Sequence, residues 1–224
     1  MNTDHESPGL SNSLTDLMTS LAVLFILLLV SMMNNTQQRA KVTREEILAE
    51  LRPKLNSFAI PESQERIAAE PDKNDALSLL VLVPEGFLNF RTNEFEISER
   101  GQAFLDQFVP KLASTVCSDQ FRNQISSIVV EGHADPRGSD EHNIVLSQNR
   151  ASSVVIRCLA TLKLPAEREC FASLLSASGR GKGETEGKQL SEEEMAHIRR
   201  VQFKIRVRSL EERELRDRLT LSSN

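Results

Sequence analysis

The run Val130-Glu-Gly-His-Ala-Asp-Pro-Arg-Gly-Ser-Asp-Glu-His-Asn-Ile-Val-Leu-Ser-Gln-Asn-Arg-Ala151 decides how the chain is read. It starts as the end of an apolar strand, Ile125 to Glu131, crosses a loop containing Gly132, Pro136 and Gly138, and enters a helical pattern over Asn143 to Leu162. Asp135 and Arg150 are far enough apart to stand on opposite sides of a small pocket, one wall anionic and the other cationic. Such a pair suits a zwitterion, with the guanidinium clamping a carboxylate in a fork and the carboxylate taking an ammonium. Asn143 would supply orienting bonds near the helix start. The alternative is an internal Asp135 to Arg150 salt bridge, with Asn143 capping the helix.

Working outward, Ala76 to Val83 reads as a strand, and Ile97 to Leu112 as a helix capped by Ser98. Phe171 to Ala177 and Val201 to Val207 read as further strands, with a short helix over Glu192 to Arg200 between them. The order βαβαβ(α)β predicts an α+β domain of two layers, a four-stranded sheet with helices against one face. Gly179-Arg-Gly-Lys-Gly183 lacks the Lys-Ser/Thr ending of a phosphate loop and reads as a structural turn. His133 and His142 have no third ligand at metal spacing. Neither a nucleophile triad nor a glycosidase carboxylate pair stands out, so the domain reads as a binder, not an enzyme, and no cofactor is expected.

A length of 224 residues allows one sizeable domain plus an appendage. The net charge of −5, without a concentrated basic tract, argues against nucleic acid as a partner. Of the three cysteines, Cys158 sits in an apolar helical run and reads as a core thiol. Cys117 and Cys170 fall in connections at the same sheet edge and form a candidate disulfide, if the domain lies in an oxidising compartment.

Ahead of the domain, Leu17 to Gln38 contains no charged residue, and residues 14–36 reach the roughly 20 residues needed to span a bilayer. The acidic first residues and the lack of a small-x-small site argue for an uncleaved anchor over a signal peptide. Residues 1–13 form a tail, 37–76 a linker with an amphipathic helix broken near Pro53, 77–210 the soluble domain and 211–224 a second tail. Arg39, Lys41 and Arg44 after the span would, by charge count, keep the domain in the cytoplasm. Asp16 stands at the head of the span, on a stripe with Ser20, Val23, Leu27, Ser31 and Asn34. It reads either as a cap in the headgroup layer or as a carboxylate that carries an ion, alternating between charged and protonated forms as a cation passes.

Two motifs carry family resemblances. Gly132, Asp135, Gly138, Asn143, Leu146-Ser147 and Arg150-Ala151 resemble the OmpA-like peptidoglycan-binding motif. That resemblance implies that Asp135 and Arg150 hold the diaminopimelate side chain of the stem peptide, with Phe90, Thr92, Asn93 and Leu146 lining the groove. Ser13-Leu-Thr-Asp-Leu-Met-Thr19 before an aliphatic span resembles the B subunit of MotA/MotB-class stators. It implies that Asp16 binds the translocated ion, a proton or alternatively sodium, and that two copies stand inside a ring of a MotA-like multi-span partner. It also implies an inner-membrane location with a cytoplasmic N-terminus and a periplasmic domain, against the local charge count. The short acidic tail and the absence of Trp and Tyr favour the Zorya type of antiphage defence stator, with a flagellar stator or a purely structural cell-wall anchor as alternatives.

Overall fold

The computed structural model describes residues 8–58, 66–88, 90–91, 94–182, 191, 194–195 and 198–222. The chain divides into two compact units, Met1–Arg39 and Ala40–Asn224. Helix α1 (Pro8–Leu55) begins in the first and ends in the second. In the first unit every side chain from Leu14 to Asn35 is exposed, so nothing within the protein covers its aliphatic surface.

The second unit starts earlier in the chain than its sequence suggests. Residues 40–55, expected within a linker, place Ile47, Leu48, Leu51 and Leu55 in the core with essentially no exposure. Burying each such side chain is worth about 1.5–3 kcal/mol. Polar contacts fix the segment along its length: Thr43 Oγ1 donates to Gln124 Oε1 at 2.9 Å, Arg44 Nη1 to the Ala76 carbonyl at 3.1 Å, and Lys54 Nζ to Thr115 Oγ1 at 2.7 Å. Pro53, which removes one helical hydrogen bond, stands close enough to the end that the helix still reaches Leu55.

The sheet has five strands, one more than expected. They are β1 (Ala68–Pro71), β2 (Ser78–Pro84), β3 (Ile125–Gly132), β4 (Leu175–Gly179) and β5 (Arg200–Val207), in the order β1-β2-β5-β3-β4. β1 comes from the polar connector, where its four residues carry too little alternation to announce a strand, and pairs antiparallel with β2. β5 lies antiparallel to both β2 and β3, while β3 and β4 run parallel. Val81, Phe203 and Val130 form one row across the three central strands, all fully buried. α2 (Glu99–Val116) meets that row through Phe108, whose ring centre lies 5.2 Å from that of Phe203.

Phe171 to Leu174, expected as strand, instead belongs to α4 (Pro165–Leu174). Pro165 starts the helix, and Phe171 and Leu174 are its buried residues; at four residues of strand-like sequence, the helical face wins through burial. A disulfide joins Cys117, the C-cap of α2, to Cys170 in α4 with an S–S distance of 2.08 Å. Cys158 is fully buried, which pushes its thiol pKa up and keeps it inert.

α3 (Asp140–Thr161) lies unusually close to the ends of β3 and β4. A Cβ on Gly132 would stand 2.3 Å from the Ser147 carbonyl oxygen, and one on Gly179 would stand 2.5 Å from the Gln148 nitrogen. These two glycines are partners in the β3–β4 ladder, so both clashes would fall on one turn of α3. Ser147 Oγ accepts from Gly181 N at 3.0 Å and Gln148 Oε1 from Gly179 N at 2.7 Å. Because both obstacles are backbone, Gly132→Ala is expected to lower stability by about 1–3 kcal/mol or more, measured by thermal unfolding of the full chain.

Candidate functional site

The β3 strand ends at Gly132, and the loop to α3 makes the site. Gly138, at φ 89°, supplies the left-handed turn that brings the chain into Ser139, whose hydroxyl caps α3 by accepting from His142 N at 3.2 Å. Asn143 does not cap the helix. Its Nδ2 donates to the carbonyls of Asp135 at 3.2 Å and Arg137 at 2.8 Å, which holds the loop in place.

Asp135 and Arg150 make no salt bridge with each other, although both line one open groove of about 630 Å³. Asp135 Oδ2 accepts from Arg137 Nη2 at 2.6 Å and from Arg199 Nη1 at 2.9 Å, and its Oδ1 accepts from Arg137 N at 3.0 Å. Burial opposes the charge on Asp135, but the bonds from Arg137 and Arg199 outweigh it and hold the carboxyl pKa down at about 2. Arg199 also reaches Glu85 Oε2 with its Nε at 2.8 Å. One guanidinium therefore joins the end of β2, the start of β5 and the loop after β3.

Arg150 is committed more heavily than a free fork would be. Its Nε donates to the Glu94 carbonyl at 3.0 Å and its Nη2 to the Arg91 carbonyl at 3.2 Å, while the guanidinium sits 5.0 Å from the centre of the Phe90 ring. Phe90 in turn bridges to Ile97, closing the loop that Arg150 grips. Nη1 is the nitrogen outside these bonds. Leu146 and Asn143 complete the groove on the α3 side. Thr92 and Asn93 lie outside the described residues. Asp16 lies on the exposed part of α1, where its backbone carbonyl accepts from Thr19 Oγ1 at 2.9 Å. The arginines at 137 and 199 were missed as site residues: the first stood in the decisive run as a plain loop cation, and the second is 64 positions away from Asp135.

Residues 89–199 match the model of the OmpA family. The fold is that of MotB periplasmic domains. A MotB-like protein from Desulfovibrio vulgaris superposes with a TM-score of 0.54, at 21% identity over 77% of this chain and 96% of the other. The periplasmic domain of Helicobacter pylori MotB gives 0.51 at 16% identity, over 75% and 95%. The Zorya protein ZorB of Escherichia coli O139:H28 (strain E24377A / ETEC) is 27% identical over 153 residues, 66% of this chain and 59% of that protein's length. Among the described residues α1 is the one helix long and apolar enough to cross a membrane.

Beside the groove, His133 is buried next to Arg200 and Arg180, and burial together with those charges brings its imidazole pKa down to about 4. In the unfolded chain the ring protonates near 6.5. Its contribution to stability is thus full above pH 6.5 and is lost as pH falls toward 4. His133→Gln is expected to lose less melting temperature than the parent between pH 7 and 4, as followed by circular dichroism.

Proposed function

We propose that the chain is a cell-wall-anchoring protein of the bacterial inner membrane, crossing it once through residues 14–36 and binding peptidoglycan with the groove between Asp135 and Arg150. The observation that carries this reading is the groove's paired character, an aspartate held ionised on one wall and a guanidinium locked by backbone carbonyls on the other. A free amine and a free carboxylate on one stem peptide match those walls. The ammonium takes the place of the exposed Arg137 on Asp135, while Arg199 stays and keeps the carboxylate charged; the carboxylate meets Arg150 Nη1. Leu146 packs against the methylene chain between them, and Thr92 and Asn93 complete the rim. The OmpA family match over the same residues supports this.

The test is sedimentation of the full-length protein with purified sacculi. Asp135→Asn and Arg150→Lys are each expected to weaken it at least about tenfold, the scale of removing one partner from a hydrogen-bonded charge pair. Undiminished sedimentation of both variants would overturn the reading.

A finer reading adds an ion pathway. Asp16 is an acid at the head of an aliphatic span, and the MotB-like fold supports a stator in which two copies stand inside a ring of a multi-span partner. The proton is the proposed ion, with sodium as the alternative. The similarity to ZorB favours service in antiphage defence, and the MotB folds suit a flagellar motor equally. Purified in mild detergent from its native operon, the chain should bring a multi-span partner with it. Asp16→Asn should keep that partner and abolish either phage resistance or motility. A parent chain that purifies alone, with both functions untouched by the substitution, leaves the anchor without an ion pathway.

A further inference from the structure

The sheet face turned away from α2 and α3 holds a cavity of about 680 Å³ that the peptidoglycan groove does not use. Its lining includes Arg180, Lys182, Arg200 and Lys204 against two carboxylates, Asp72 and Glu131. Both carboxylates are already engaged. Asp72 takes Lys204 Nζ at 2.7 Å, and Glu131 accepts from Gln202 Nε2 and lies 3.6 Å from Arg180 Nε. The positive excess is therefore left to a ligand.

Three of the buried side-chain atoms that lack a hydrogen-bond partner belong to residues lining this one cavity: His133 Nε2, Arg200 Nε and Gln202 Oε1. Gln202 is 7% exposed, and its amide is oriented by the bond to Glu131, which requires the nitrogen on that side and turns the oxygen away. Leaving such atoms unpaired costs about 1–3 kcal/mol each. An occupant that satisfies them must accept from Arg200 and donate to Gln202. A carboxylate cannot donate, and a sugar hydroxyl leaves the positive excess unanswered. A phosphate that keeps one O–H does both.

We propose that this cavity is a second binding site, for phosphate or a phosphate monoester, in which Arg200 and Arg180 hold the anionic oxygens and Gln202 accepts from the remaining O–H. His133 stands at its wall as the reporter. The site does not depend on the peptidoglycan reading, because it shares neither ligand nor side-chain donors with the groove.

The test uses the full-length protein in detergent with histidine labelled at Cε1, titrated with inorganic phosphate at constant ionic strength. The His133 resonance, identified by its loss in His133→Gln, is expected to shift saturably. Arg200→Gln and Arg180→Gln are each expected to raise the midpoint at least fivefold, with Arg180→Gln still sedimenting with sacculi like the parent. A His133 shift that chloride reproduces, or midpoints within twofold of the parent in the variants, would overturn the site. If Arg200→Gln does not fold, Arg180→Gln alone decides.

Discussion

Everything in the soluble unit that resembles a binding site hangs on the bare contact between one turn of α3 and the glycine pair Gly132 and Gly179. Helix backbone rests on strand backbone there, because neither strand position has a side chain to hold it off. Ser147 and Gln148 then use their own oxygens to accept from Gly181 and Gly179, so the strand end and its turn are satisfied by the helix that lies on them. Asn143, Leu146 and Arg150 all project from this helix, and their height above the loop follows from that approach. Positive φ at Gly138 and Gly181 completes the constraint on both sides.

The charges of the groove come from three separate parts of the chain and are balanced locally. Asp135 stays ionised because two arginines outweigh its burial, and one of them, Arg199, is itself held by Glu85. Arg150 is oriented by carbonyl oxygens, which neutralise nothing, so it retains its full charge for a ligand while losing its freedom to turn. The groove is thus pre-organised on its cationic wall and exchangeable on its anionic wall, where the exposed Arg137 occupies the place of a cation.

The two-layer fold was legible because its strands and helices are apolar at spacings that leave one reading each: β2, β3 and β5 alternate or run solid, and α2 and α3 carry a continuous buried face. What escaped was short or shared. β1 is four residues of Ala-Ala-Glu-Pro, defined by its partner and not by its own pattern. α4 carries Phe171 and Leu174 in a stretch whose composition serves a strand as well. Asp135, Asn143 and Arg150 could be picked out within one run, whereas the partners that set their state, Arg199, Glu85 and the carbonyls of Arg91 and Glu94, are brought in by topology. Backbone acceptors in particular leave no trace in residue identity.

The burial of Ile47, Leu48, Leu51 and Leu55 changes how the unit would carry a mechanical load. Had residues 40–55 been a slack tether, a pull at Ala40 would first have straightened the chain. Instead it acts along a helix whose side chains are interlocked with the core, so the resistance is shear across many contacts at once, not the peeling of one after another. The groove and the point of pull are then two ends of a single stiff body, and strain entering at one is delivered to the other without stretch.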